Sequence, residues 1–592
     1  MAHKDAQAEP DARGWESERI ARLWTPERVP LIVPLAGLGE RALAYIVDVG
    51  VLLGVGFMCL FLYNSIWGDI SQDLGALSGL ATLFVGLALF GAAVCYDVLF
   101  EVLGGGRTLG KRALKLRVLH ASGRPPDVVV SLLRNVLRLV DMLPFGYAVG
   151  TVALFLTGTR RLGDLVADTF VVTERARRRD PLASCRAVFA NDALTTLPSR
   201  RSWSDADLLR ALGIVERTTS LDAKTASLVC HRALAKIDAA LAKETAPSDA
   251  RALLAGQVLA HAEAPTGVVV AIRRLVDAEQ ALAAALSMLA RKPTLVDVEN
   301  VDATIRRAAS ELMRAARRDV PARHLESLSL ALLDAERRRV PRASLGKSAR
   351  RFFLYEVPST VWAERGLIAR SGAVLALGLL VGGAIAFADA DIARALIGDE
   401  IAAAVERGAS WTNSIEENNS FAQVSLQIIF NNVGVGLRVF ALGILGGVAT
   451  LLGLLSNGLQ IGATFGYALK LGTADTLLRF ILAHGPVELT MIAVAGAGGM
   501  CLGRALLSPG RRTRLQALRE EGARGAKLVV AATMGFLVIG SVEGFISPGQ
   551  MFPSAMNAAI GLGLLALFWA WVRAFSTLAG EKPLGQPGGH PS

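Results

Sequence analysis

Residues Glu40 to Tyr63 read ERALAYIVDVGVLLGVGFMCLFLY. From Ala42 to Tyr63 the run is apolar and long enough to cross a bilayer as a helix. It opens on Arg41 and carries one carboxylate, Asp48, inside it. A charge in hydrocarbon costs roughly 2.5–3.5 kcal/mol on insertion scales, so Asp48 requires a partner or a function. Arg41 precedes it by two helical turns, on about the same face and roughly 10 Å away along the axis. That face must look into protein.

The whole composition agrees with a membrane-embedded chain. Of 592 residues, 52% are hydrophobic and only 19% charged, and the mean hydropathy is +0.42. An ordinary water-soluble enzyme is far less apolar, so several spanning helices are expected. The net charge of +11 reads as basic loops on the cytoplasmic side rather than a nucleic-acid surface. The five cysteines, Cys59, Cys95, Cys185, Cys230 and Cys501, form no CxxC pair, which predicts free thiols and no disulfide framework. The first 30 residues are polar, without an apolar core before a cleavage site. The first span is therefore expected to act as the targeting signal.

Before that span, residues 1–30 read as a disordered or interfacial segment, with Trp15 and Trp24 either at headgroup level or simply packed. A second span is expected over Ala76–Phe100, followed by Arg107, Lys111, Arg112, Lys115 and Arg117. The positive-inside rule assigns this basic stretch and the N-terminus to the cytoplasm. Val128–Val140 is amphipathic, with Arg134 and Arg138 on its polar face; it is expected to lie along the inner interface. The apolar run Met142–Thr157 is short for a span. Basic residues flank both its ends, so it reads as a re-entrant or tilted hairpin returning to the cytoplasm.

Three ordered blocks carry a resemblance. They are Thr25-Pro26-Glu27 with Leu35-Ala36-Gly37-Leu38-Gly39-Glu40-Arg41 continuing to Asp48, then Gly106-Arg107-Thr108-Leu109-Gly110-Lys111-Arg112, and Arg161-Leu162-Gly163-Asp164 running to Val172. Residues 25–173 resemble the RDD family of membrane proteins, named for one arginine and two aspartates. The resemblance assigns these to Arg41, Asp48 and Asp164. The last block departs from the family at Gly163, where His is usual, and at Asp168, where a small residue is usual. The resemblance implies a membrane domain over 31–173.

Residues 174–345 change character. Charge rises, and heptad-like apolar spacing marks Leu208–Lys243, Ala250–Ala262, Val268–Ala290, Val301–Arg317 and Leu325–Arg339, separated by prolines such as Pro247, Pro265, Pro293 and Pro321. This predicts a soluble cytoplasmic bundle of about five amphipathic helices, either a plain bundle or a platform for partners. Arg175–Arg179 is the linker before it and Val340–Arg351 the linker after. His231, His261 and His324 are isolated and show no metal-ligand spacing.

The last third is apolar again. Spans are expected near Ser371–Ala388, Val433–Leu455, Leu459–Leu471, Leu478–Leu507, Leu528–Ile546 and Asn557–Phe575. The acidic loop Asp389–Asn419 goes outside and the basic loop Arg511–Lys527 inside, which returns both ends of the chain to the cytoplasm. Gly443/Gly447, Gly462/Gly466 and Gly499/Gly503 are small-xxx-small pairs that predict close helix packing. Asn431, Asn432 and Asn457 read as helix interruptions, caps or cross-helix hydrogen-bond formers.

Five further blocks carry a second resemblance: Phe353–Pro358, Asn431–Gly436, Ser456–Gly462, His484-Gly485-Pro486-Val487-Glu488-Leu489 and Glu543–Pro548. Residues 345–580 resemble the stage II sporulation protein M family, whose namesake belongs to a membrane complex acting on the cell wall. Relatives of both families tend to be encoded beside MoxR-type ATPases, which implies an assembly-linked system. The fold implied is all-α and polytopic: two transmembrane bundles (31–173 and 346–580) separated by a soluble helical domain (174–345), between a polar N-terminal segment and a disordered tail from 581.

Among candidate site residues, His484, Glu488 and Glu543 stand out as intramembrane ionisable groups. One reading has Gly485-Pro486 breaking a span into half-helices around a proton or cation site. The other has Pro486 and Glu488 in an ordinary first helical turn, where a carboxylate suits the helix dipole. Asp48 reads either as one half of a structural ion pair with Arg41, Arg134 or Arg138, the favoured reading, or as part of a transport site together with Glu488 and Glu543. Asp97 and Glu101 either pair with Arg107 or Lys111 or are plain interfacial acids. No GxSxG, HExxH, P-loop or Cys/His metal pattern occurs, so neither catalysis nor a cofactor nor a metal is expected. Two functions remain open. One is a non-enzymatic component of a cell-envelope assembly in a bacterial inner membrane, in contact with lipid, a MoxR-type ATPase or envelope proteins, alone or as an oligomer, and without nucleic acid. The other is a proton- or cation-coupled transporter.

Overall fold

A computed structural model describes residues 20–25, 29–67, 85–86, 89, 91, 95–141, 160–174, 180–191, 196–288, 295–318, 320–339, 345–407, 421–545 and 553–580. Most of the expected second span, the run Met142–Thr157, Trp15, Arg175–Arg179, residues 408–419 of the acidic loop, Ser547-Pro548 and the tail from 581 lie outside these residues. The chain begins with β1 (Ile20–Trp24), β2 (Pro30–Pro34), α1 (Leu38–Trp67), α2 (Leu109–Ala113), β3 (Leu116–His120), α3 (Val128–Asp141), α4 (Leu162–Val166) and β4 (Thr169–Thr173). Helices follow as α5 (Pro181–Asn191), α6 (Asp205–Thr218), α7 (Ala223–Ile237), α8 (Ala239–Glu244), α9 (Ala250–Ala262), α10 (Val268–Met288), α11 (Leu295–Ala316) and α12 (Ala322–Arg339). The last third comprises α13 (Leu345–Arg351), α14 (Val357–Ala363), α15 (Arg365–Ala388), α16 (Ala390–Ile397), α17 (Asp399–Glu406), α18 (Phe421–Ala441), α19 (Val448–Leu471), α20 (Ala474–Ile481), α21 (Gly485–Leu507), α22 (Arg514–Phe545) and α23 (Ser554–Gly580).

Contacts divide the chain into two units. The first takes in Met1–Arg41, Leu114–Pro125 and Val171–Arg342. Here β1 and β2 form an antiparallel hairpin, Ile20 opposite Pro34 and Trp24 opposite Pro30. So part of the segment read as disordered or interfacial is a strand. Ala21 and Leu23 alternate inward along it, and Trp24 stays 43% exposed. The hairpin is held to α12 by the Ile32 amide, which donates to the buried Ser329 hydroxyl at 3.0 Å. β3 pairs with β4 in a second two-stranded sheet. These sheets are small additions to a helical chain.

The helices of this unit divide more finely than their apolar spacing suggests. The stretch Leu208–Lys243 is three helices, because local caps interrupt it. The Asp222 carboxylate accepts from the Thr225 amide at 3.0 Å, and Asp238 from Leu241 at 2.9 Å. Each satisfies an amide that the start of a helix leaves open. Ser204 caps α6 in the same way.

The second unit takes in Ala42–Ala113, Pro126–Phe170 and Ala343–Ser592. Among the described residues, seven helices are long and apolar enough to cross a membrane: one within α1 and six between Arg365 and Ser576. Their bounds correct one expectation. The turn between the second and third of the six falls at Gly446-Gly447, both with positive φ (72° and 78°), and not near Gly458. α19 is therefore continuous over 24 residues, and the third span is full length. Asn457 sits inside it, donating to the Gly453 carbonyl at 2.8 Å, and Asn431-Asn432 lie inside α18. None of the three interrupts a helix.

Glycines set the packing of α15 on α19. A Cβ on Gly378 would stand 3.0 Å from the Gly458 Cα, and one on Gly462 would meet the Leu379 backbone. Gly383 and Gly466 oppose each other one turn further on. Backbones this close gain dispersion contacts that larger residues would prevent. Gly499 approaches Gly443, and Gly503 approaches Gly447, on the other side of the bundle. The acidic loop is also folded: α16 and α17 lay Ala393, Ile397, Ala402 and Val405 against Ala463, Tyr467 and Ala468.

Candidate functional site

Asp48 lies in the third turn of α1 and is 4% exposed. Its Oδ1 accepts from the Tyr96 hydroxyl and from the Gly110 amide, each at 2.7 Å, and its Oδ2 from the Thr108 hydroxyl at 2.6 Å. None of these donors is an arginine, which corrects the expected ion pair. The physical reason is that Arg134 is engaged by Glu101 and Asp164 and Arg138 by Asp97, while a tight turn delivers neutral donors instead. A Cβ on Gly110 would strike the Ala44 carbonyl and stand 3.0 Å from the Asp48 Cγ, so only glycine brings its amide that near. Arg41, at the end of the first turn of α1, belongs to the first unit.

Arg134 projects from α3 and is 1% exposed. It donates through Nη1 to Glu101 at 2.8 Å and through Nε to Asp164 at 3.0 Å. Glu101 also takes the Lys111 ammonium at 2.5 Å and the Ser131 hydroxyl at 2.7 Å. Burial alone would push the Glu101 carboxyl up; the Arg134 and Lys111 charges outweigh it and hold it at about 2. Arg138 pairs with Asp97 and stacks on the Tyr45 ring. The polar face of α3 is thus buried among acids. Its apolar residues, Val129, Leu132, Leu133 and Leu137, pack with residues of the last third. Consecutive residues Gly110 and Lys111 serve Asp48 and Glu101 respectively, so one turn ties both carboxylates.

His484, Glu488 and Glu543 converge. The His484 Nε2 stands 4.0 Å from Glu488 Oε2 and 3.8 Å from Glu543 Oε1. His484 precedes α21, with Pro486 and Glu488 in its first turn, while Glu543 closes α22. The proline and glutamate occupy a normal first turn, and the three groups meet between the start of α21 and the end of α22. The cluster lies about 24 Å along α22 from Lys527.

The other end of this bundle is an arginine–carboxylate layer. Arg504 donates to Glu364 through Nη1 at 3.3 Å and Nη2 at 3.1 Å, and also pairs with Glu521. Arg512 and Arg524 reach Glu521 as well, and Lys527 pairs with Glu356 at 2.9 Å.

The RDD family matches residues 35–168, and the Stage II sporulation protein M family matches residues 371–548. The chain is a fusion of these two membrane families. No curated protein and no solved structure matches it.

Within the RDD segment, Asp48 and Asp164 serve different clusters, and Asp164 pairs with Arg134 at 2.9 Å and with Arg161 at 3.5 Å. Sequence reading missed this pairing, because Glu101, Arg134 and Asp164 are far apart along the chain. It also missed a bond between the segments. Asp168, the last residue of the RDD match, accepts from Arg519 of the sporulation protein M segment at 2.7 Å and from Arg160 at 2.8 Å. Arg519 Nε donates to the Leu165 carbonyl at 3.1 Å. The signal was the departure at Asp168 itself. Asp168 has a φ of 49°, a left-handed conformation that aspartate tolerates better than most residues.

Proposed function

We propose that this multi-pass membrane protein is a non-enzymatic scaffold of a cell-envelope assembly in a bacterial inner membrane, with both termini cytoplasmic. The observation that carries this reading is the packing of the RDD segment onto the sporulation protein M segment. Leu133, Leu137, Leu162 and Val166 share one apolar cluster with Phe440, Leu502 and Leu518. The fusion then supplies two membrane segments at fixed stoichiometry, and α5–α12 serve as a platform for a MoxR-type ATPase or other envelope proteins. The basic residues from Arg511 to Lys527 favour a cytoplasmic side for that end. The RDD carboxylates Asp48, Glu101 and Asp164 are each met by donors or arginine within the segment, which suits a structural role better than ion coupling.

Cation-coupled transport is the second reading, favoured by the convergence of His484, Glu488 and Glu543. Two measurements separate the readings. The tagged full chain, cross-linked in native membranes, is expected to capture envelope proteins through α5–α12, and replacing exposed Leu228 and Val229 with Asp is expected to reduce the capture. Proton or cation flux in proteoliposomes that disappears in Glu488→Gln would overturn the scaffold reading in favour of transport.

A further inference from the structure

We propose that His484, Glu488 and Glu543 form a site for a divalent transition-metal cation of the zinc class, tying the start of α21 to the end of α22. Their ligand atoms all lie within 4.8 Å of one another. Two ligands on a tetrahedral zinc stand about 3.4 Å apart at bond lengths of ~2.1 Å. The His484 separations of 3.8 and 4.0 Å need about half an ångström of inward movement, and the two carboxylates, within 4.8 Å of each other, at most about 1.4 Å. One imidazole nitrogen with two carboxylate oxygens is a zinc-type donor set that leaves a fourth position for water.

The second observation is an orphaned atom. Glu543 is 3% exposed, and its Oε2 is buried without a hydrogen-bond partner. Neither Glu488 nor Glu543 has an arginine or lysine partner among the described residues; each lies by His484 and by the other carboxylate. A buried and a half-buried carboxylate with no cationic partner among the described residues are costly in a low-dielectric site, and a divalent cation removes that cost. The contrast with the other carboxylate cluster is direct. Glu364, Cys501 and Glu521 also group closely, but Arg504 and Arg524 already neutralise those acids. Asn557 of α23 lies at the same end of the bundle, donating to the Arg479 carbonyl at 3.2 Å. Its Oδ1 is likewise buried and unpartnered.

The test uses the full chain in detergent, stripped with a chelator and titrated with Zn2+ by calorimetry and with Co2+ by visible absorption. One equivalent is expected to bind. His484→Gln and Glu543→Gln are each expected to weaken binding about tenfold or more, since even outer contacts of a metal site carry that much; His231→Gln is expected to leave it unchanged. Absence of binding to the stripped wild type would overturn the proposal, as would unchanged affinity in folded His484→Gln. If both variants fail to fold, X-ray absorption at the zinc edge of the wild type decides. One imidazole with oxygen neighbours supports the site. Sulfur among the bound atoms would point to Cys501, and absence of imidazole would exclude His484; either overturns it.

Discussion

Asp168 and Arg519 meet at 2.7 Å, and with that contact the last matched residue of one membrane family is held by a side chain of the other. Both groups are largely covered, and Arg160 shares the same carboxylate oxygen. Asp168→Ala and Arg519→Ala are each expected to lower stability by about 1–2 kcal/mol, and the double variant by less than their sum. A double-mutant cycle on thermal unfolding in one detergent measures this. Strict additivity would mean that the contact does not couple the two segments.

Asp48 is expected to tolerate no loss of its acceptors. Asp48→Asn turns one oxygen into a donor that faces a donor, at a cost of about 1–3 kcal/mol. Gly110→Ala is expected to cost at least as much, because its Cβ collides with the Ala44 carbonyl. Thermal unfolding of the two variants reads out both, and an unperturbed Gly110→Ala would argue against the close approach.

Removing Arg134 takes from the buried Glu101 and Asp164 the cation they share, leaving Lys111 on the first and the more distant Arg161 on the second. A loss of about 3–5 kcal/mol is expected for Arg134→Ala. Arg134→Lys is expected to recover only part of it, since one ammonium does not reproduce the guanidinium's bonds to two acids. Expression level and unfolding midpoint check the ranking.

His324 gives the helical unit a pH dependence. Burial, with the Arg323 charge beside it, pushes its imidazole down to about 4, and the ring nitrogen accepts from Arg323 Nε at 3.2 Å. A folded value below the unfolded one means that the unfolded chain binds more protons between the two. The contribution, at most about 3 kcal/mol, is therefore complete above about pH 6.5 and is lost as pH falls toward 4. His324→Gln is expected to flatten that slope in denaturant midpoints taken across this window. A slope equal to the wild type's would assign it to other groups.

What the sequence disclosed follows from which forces act locally. Apolar runs disclose spans, and small-xxx-small spacing correctly foretold that Gly462, Gly466, Gly499 and Gly503 lie against neighbouring backbones. His484 and Glu488 were legible as a pair because i,i+4 spacing places them on one face; Glu543 joined them only as another buried acid. Gly458 and Gly446-Gly447 could not be told apart in advance. One packs against the Leu375 carbonyl within a continuous helix, and the others turn the chain with positive φ. That difference lies in what sits across from each glycine. The same is true of Asp48. Its expected arginine was plausible by charge, but the tertiary fold brought Tyr96, Thr108 and Gly110 instead.

The docking of the two membrane segments is tested most directly by cutting the chain between them. A specific protease site placed at residue 343 of the full chain allows cleavage after purification in mild detergent, followed by size-exclusion chromatography. The two fragments are expected to co-elute as one species, and to separate when Arg519→Ala is combined with Phe440→Asp. Fragments that part at once in the otherwise wild-type protein would contradict a single packed scaffold.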